Sequence, residues 1–258
     1  MTKLITEQQY YKIRNPKSKA KKVIASHVKE IFDTVRDFTT KPLKEMDVLD
    51  VGSGQGEYCF KIEEKTRSII GVEPYKPAYE VAIEKQKSIN SKVKFCNSTI
   101  EDLKIAKRFD LIICLTVIEH MPDAEKSFQK IFKLLKKDGV IYLTAPNKLW
   151  PLESHYKLLF LSWLPLSIAN LYVRLVGRAY SYQDSSYSKT YFGMRSFFDQ
   201  FPCEYKFVLP KNIDGAFLGC GSGRLFYRTI MKSGIFLIRR IPQFWIFSKG
   251  FIMIIIKD

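Results

Sequence analysis

Apolar and polar positions along the chain alternate between two regimes. Short apolar runs cover residues 48–51, 68–72, 108–116, 140–145 and 250–257, and a short alternating one covers 92–96. Runs of this length, rich in Ile, Val and Leu, read as strands buried on one or both faces. Between them the apolar positions recur at helical spacing. Val23, Ile24, Val28, Ile31, Phe32 and Val35 form one face, with His27 on it as a core histidine. Tyr58, Cys59, Phe60 and Ile62 begin a second helix, residues 77–89 a third, and Phe128, Ile131, Phe132, Leu134 and Leu135 mark a fourth with Asp123 at its N-cap. Lys137 to Gly139 reads as a turn, with Gly139 supplying a permissive backbone, and residues 193–201 read as a short helix. Strands alternating with helices predict an α/β fold with a parallel sheet.

The stretch Val48 to Gly56 narrows the chemistry. An apolar run carrying one acid, Asp50, ends in glycines at alternate positions, Gly52, Gly54 and Gly56, and a helix follows. Glycines let a backbone turn tightly and approach a ligand, and the helix start offers unpaired N–H groups. A dinucleotide site uses G-x-G-x-x-G. Here the spacing is G-x-G-x-G, and an acid two residues before it suits a cation rather than a pyrophosphate. A second acid, Glu73, ends the next apolar run about 20 residues further on, where a carboxylate can accept bonds from two ribose hydroxyls.

Composition bounds what such a chain can be. At 258 residues with 46% hydrophobic content it can bury a core as one domain. A formal charge of +16 calls for an anionic partner: nucleic acid, anionic lipid or a phosphorylated substrate. The five cysteines show no C-x-x-C pair, so neither a disulfide framework nor a zinc site is expected, and no metal is assigned. A reducing cytosol suits them. The first ten residues lack the apolar segment of a signal peptide. Residues 158–173 are uncharged but shorter than the ~20 residues of a spanning helix. Clustered Lys17, Lys19, Lys21 and Lys22 read as a solvated helix start. Gly219 to Gly223 repeats G-x-G-x-G without a preceding acid and reads as a connection.

The acid-x-G-x-G-x-G loop, Glu73, the turn Asn97 to Leu103 and the segment Val117 to Asp123 occur in the order found in class I S-adenosylmethionine-dependent methyltransferases, and the chain resembles that family over roughly residues 45–165. The resemblance implies a Rossmann-like, seven-stranded, mostly parallel sheet with an antiparallel last strand, helices on both faces and a helical lid after strand five. It implies S-adenosylmethionine as cofactor, held by Asp50, Gly52, Gly54, Gly56, Glu73, Pro74, Thr99, Ile100 and Leu115, with Tyr75 beside the adenine and Tyr10 or Tyr11 as a cover. Thr99 stands where the family usually has aspartate.

After strand five, Ala145-Pro-Asn147, Glu153, His155 and the leucine-, tryptophan- and proline-containing segment from Leu158 to Pro165 resemble a subgroup acting on small molecules and on glycan or lipid precursors. His155 is the expected general base of an O-methyl transfer, and His120 a second catalytic candidate. One domain over 1–258 is expected: a basic helical cap (1–46), a cofactor core (47–147), an acceptor lid (148–192) and C-terminal strands (193–258). In the lid, Trp150, Trp163, Tyr172, Tyr180, Tyr182 and Tyr187 offer aromatic walls. Its apolar stretch reads either as core or as a membrane-interface element.

Basic and aromatic residues interleave between Arg224 and Phe247, which favours an anionic membrane surface over RNA. The expected location is therefore cytoplasmic, at the inner membrane face. A nucleic-acid methyltransferase, a nicotinamide oxidoreductase and a non-catalytic, cofactor-binding membrane scaffold remain as alternatives. The first lacks an [N/D]-P-P-aromatic motif after strand four, and the second lacks the glycine spacing.

Overall fold

The computed structural model describes residues 21–212 and 225–257. The readings placed on Tyr10, Tyr11, Lys17, Lys19 and Gly219 to Gly223 lie outside those residues. Helix α1 (Lys21–Val35) precedes β1 (Asp47–Val51), α2 (Glu57–Glu63), β2 (Ser68–Val72), α3 (Lys76–Ser88) and β3 (Lys94–Cys96). Then follow β4 (Phe109–Leu115), α4 (Ala124–Leu134), β5 (Leu135–Pro146), α5 (Leu166–Leu175), α6 (Tyr191–Phe198), β6 (Cys203–Phe207), α7 (Leu225–Arg240) and β7 (Gly250–Lys257).

The seven strands lie in the order β3-β2-β1-β4-β5-β7-β6. The first five pair in parallel, and β7 is antiparallel to both β5 and β6. The last strand is thus the one reversed strand, as expected. The apolar runs become strands because the sheet is covered on both sides. Leu49, Ile112, Leu143 and Met253 pack on one face with Phe128 and Ile131 of α4 and Met194 and Phe198 of α6. Val48, Leu111, Ile113, Tyr142 and Ile254 pack on the other with Ile31 and Val35 of α1 and Ile62 of α2. His27 is buried on this second side, stacked on Tyr58, with Nδ1 2.7 Å from its hydroxyl.

One expectation is corrected. The turn placed at Lys137 to Gly139 is a bulge inside a continuous β5. Phe109 faces Leu135 and Leu111 faces Val140, so four residues of β5 stand opposite Asp110 alone. Lys136, in the bulge, bonds Asp110 at 2.9 Å and reaches Asp47 at 3.5 Å. Lys41, Arg67 and Lys107 close the same cluster around these two carboxylates. Burial raises the Asp47 pKa, but bonds from Arg67, Ser68 and Lys107 outweigh it and hold the carboxyl well below its usual range. Gly139 is needed for room rather than for φ: a Cβ there would lie 2.7 Å from Leu135 Cδ1. Asp123 caps α4 as expected, accepting from the Lys126 N–H at 3.0 Å.

The segment after β5 carries a small core of its own, Tyr156, Leu161, Ala169, Val173, Ala179 and Tyr182. Asn170 accepts from the Tyr182 N–H at 2.7 Å, and Asn147 ties the segment's root to Ile246 O and Ser248 O at 2.7 and 2.8 Å. Helix α5 divides between the two readings of its apolar stretch. Ala169 and Val173 are buried, while Ile168, Leu171 and Leu175 are 51%, 56% and 72% exposed. Among the described residues no helix is long and apolar enough to cross a membrane.

Candidate active site

Parallel strands bring the loops that follow them to one edge of the sheet, the usual ligand edge of such folds. The glycine loop leaves β1 with Gly52, Gly54 and Gly56 at φ values of +73°, +55° and +78°, which side chains disfavour. A Cβ at Gly52 would strike Val117, and one at Gly56 would strike Phe95. At Gly54 it would meet nothing within 4 Å, so this glycine faces open space and is required for backbone shape.

Glu73, at the end of β2, is buried and pins the loop. Its Oε2 accepts from the Gly54 N–H at 2.8 Å and its Oε1 from the Tyr75 N–H at 2.9 Å. Asn97 donates to the Glu73 and Pro74 carbonyls at 2.8 and 3.1 Å, joining the ends of β2 and β3. Thr99 donates to Asp102 at 2.9 Å and accepts from its N–H at 3.2 Å, closing the turn that leaves Ile100 buried. Leu115 ends β4, half-buried, before Thr116 turns the chain at φ +56°.

Asp50 lies beneath the glycine loop, buried, accepting from the Cys59 thiol at 3.1 Å. Burial raises its pKa, the Cys59 bond offsets part of this, and Glu73 adds to the rise, to about 7. A pKa raised in the folded state means that stability present at low pH is lost as pH climbs from the unfolded value through about 7. Asp50→Asn removes that loss. The unfolding free energy of Asp50→Asn, read from urea titrations, is therefore expected to match the parent's near pH 4 and to exceed it at pH 8 by on the order of 4 kcal/mol. Equal pH profiles for the two proteins would refute a strained carboxylate here.

A second cluster joins the loops after β4 and β5. The turn Ile118–His120 presents Glu119, fully buried, and His120. His155 packs edge-on against His120, ring centroids 4.8 Å apart. Glu153 fixes His155: its carboxylate accepts from the His155 and Tyr156 N–H groups at 2.8 and 2.6 Å and lies 2.8 Å from Nδ1. Burial pushes the Glu153 pKa up, but the His155 and backbone bonds outweigh it, and the net direction is down. An ionised carboxylate only accepts, so Nδ1 carries a proton, and in the ring's neutral form the lone pair is at Nε2. His120 is set likewise, Nδ1 against the Asp184 carbonyl. Both Nε2 atoms lie 3.9 Å from Glu119 Oε1. The pairing of His120 with His155 and the part of Glu119 were missed in the sequence, where no spacing motif joins them. The one local signal was the Glu-His pair itself.

Fold, glycine loop and strand-end acid are those of the class I S-adenosylmethionine-dependent methyltransferases. The chain belongs to the methyltransferase domain family, whose model matches residues 42–175. Among curated relatives, ubiquinone biosynthesis O-methyltransferases of Pelagibacter ubique and Haemophilus ducreyi are 30% and 31% identical over 149 and 109 residues. These matches span 54% and 39% of this chain and only 60% and 45% of the relatives' own length. Among solved structures, the plantazolicin methyltransferase BpumL in complex with a monoazolic desmethylPZN analog and SAH superposes with a TM-score of 0.60 at 16% identity, covering 98% of this chain and 90% of that one. The YcgJ protein of Bacillus subtilis gives 0.54 at 18%, covering 90% and 100%.

Proposed function

We propose that the chain transfers a methyl group from S-adenosylmethionine to a hydroxyl oxygen of a small, partly apolar acceptor held beneath residues 148–192. The observation that carries this is the meeting, at one sheet edge, of an open glycine cradle pinned by Glu73 and an imidazole held by a buried carboxylate. The cradle suits the cofactor. Gly54 leaves room for a ligand, Gly52 and Gly56 shape the loop, and Asp50 offers negative charge for an ammonium. Glu73 takes the ribose hydroxyls, and Pro74, Thr99, Ile100 and Leu115 flank the adenine. When bound, the cofactor supplies a methyl already activated on a sulfonium. The chain's task is then alignment and proton removal. His155 takes the acceptor's proton at Nε2 while Glu153 stabilises the resulting imidazolium. His120 braces the ring. The named O-methyltransferase relatives support oxygen as the acceptor atom.

The exposed face of α5, with Phe160 and Trp163 next to it in the chain and both about half exposed, favours an acceptor drawn from a lipid surface. The +16 charge suits the anionic, cytoplasmic leaflet. A lipid or glycan-lipid precursor is the finer reading of the acceptor. The test is titration calorimetry with S-adenosylhomocysteine and NADH, then methyl transfer from labelled cofactor to phenolic and polyprenyl-linked acceptors with and without anionic vesicles. Micromolar binding of the sulfur compound, and labelled ether stimulated by vesicles, is expected. A folded protein that binds neither sulfur compound nor acceptor would end the enzyme reading. NADH binding would revive the oxidoreductase.

A further inference from the structure

We propose that Glu119, His120 and His155 form a binding site for one divalent transition-metal ion, with Zn²⁺ as the test ion. The ligand atoms of these three residues lie within 4.8 Å of one another. Glu119 Oε1 is 3.9 Å from each Nε2. Bonds of 2.0–2.2 Å in a tetrahedral site put donors about 3.4 Å apart. A small closing movement of two histidine side chains, whose exposures are 12% and 14%, brings them into range.

The outer contacts are the stronger argument. A metal-binding histidine almost always gives its other ring N–H to a carboxylate or a carbonyl, which sets the tautomer and turns the lone pair inward. Both histidines satisfy this independently: His155 Nδ1 faces Glu153 Oε1 at 2.8 Å, and His120 Nδ1 faces the Asp184 carbonyl. Glu153 is itself held by two backbone N–H groups. Two imidazoles and one carboxylate form a borderline-soft donor set that favours Zn²⁺ and its first-row neighbours over Mg²⁺. Three protein ligands leave a position open, the pattern of catalytic rather than structural zinc.

The role follows from that open position. A hydroxyl bound to the cation loses its proton more easily, as metal-bound water does near pH 7. The proton then leaves to bulk water, and the acceptor oxygen attacks the methyl carbon as before. In this form His155 is a ligand and not the base. The role rests on the O-methyl transfer reading, whereas the cation site does not.

The experiment dialyses the purified full chain against chelator, adds Zn²⁺ at pH 7.5, and measures bound metal and affinity by competition with a zinc indicator. Absorption of the Co²⁺-loaded protein reports the geometry. About one equivalent is expected. His155→Ala and His120→Ala should each weaken affinity at least ~100-fold, and Glu153→Gln, which leaves every ligand in place, about 10- to 100-fold. Circular dichroism and S-adenosylhomocysteine affinity should stay at parental values in all three. Should an alanine variant fail to fold, His120→Asn and His155→Gln replace it. Substoichiometric metal in the parent, or equal affinity in the variants, overturns the site. One bound Zn²⁺ without any S-adenosylhomocysteine binding would uphold the site and sink the methyl-transfer reading instead.

Discussion

Glu73→Ala is expected to weaken S-adenosylhomocysteine binding by about 100- to 1,000-fold while the chain stays folded. The carboxylate does two things at once. It holds the glycine loop through the Gly54 N–H at 2.8 Å and the end of β2 through the Tyr75 N–H at 2.9 Å. In the proposed complex it also takes the two ribose hydroxyls. Hydrogen bonds to a charged acceptor contribute about 1.5–3 kcal/mol each, so two lost together cost about 3–6 kcal/mol, and the lower half of that span gives the expected loss. Glu73→Gln should fall between, because one oxygen remains an acceptor while the amide sets a donor where the other stood. Calorimetry at pH 7.5 is the check. A loss below ten-fold in a folded Glu73→Ala protein would remove the ribose role and leave only the loop contact.

His155→Ala is expected to lower kcat by about 100- to 10,000-fold, the usual contribution of a positioned proton acceptor, with cofactor affinity unchanged. The side chain meets Glu153, Glu119 and His120, all in the cluster after β4 and β5. Glu153→Gln should cost less, about 10- to 100-fold, since the imidazole remains but its tautomer is no longer imposed. Single-turnover rates with saturating cofactor separate the two variants from effects on binding. A kcat within three-fold of the parent for His155→Ala would exclude this histidine from proton transfer and from acceptor activation alike.

Much of this architecture was legible because it is local. The runs at 48–51, 108–116 and 140–145 had to be strands, being too short and too β-branched for helices, and each is buried on both faces. The order of the glycine loop and Glu73 put both at strand ends. Asp123 was readable as a cap because its partner, Lys126 N–H, is three residues away. The bulge at Lys136 to Gly139 was not legible: within it Lys136 reaches Asp47 and Asp110, on strands far earlier in the chain. Gly139 looked like a turn residue, when the real constraint is the Leu135 side chain packed over it.

The sequence by itself determined the alternation of strand and helix, the glycine turn and the positions of Asp50 and Glu73. Each of these depends on sterics and periodicity within a few residues. Only the tertiary structure decided which face of α5 is buried, that Glu73 holds Gly54, and that Glu119, His120 and His155 meet beneath Asp184 and beside Glu153. Those juxtapositions are set by parallel register between strands far apart in the chain. No pattern of neighbouring residues encodes such a register, because the contacts that enforce it exist only once the sheet has closed.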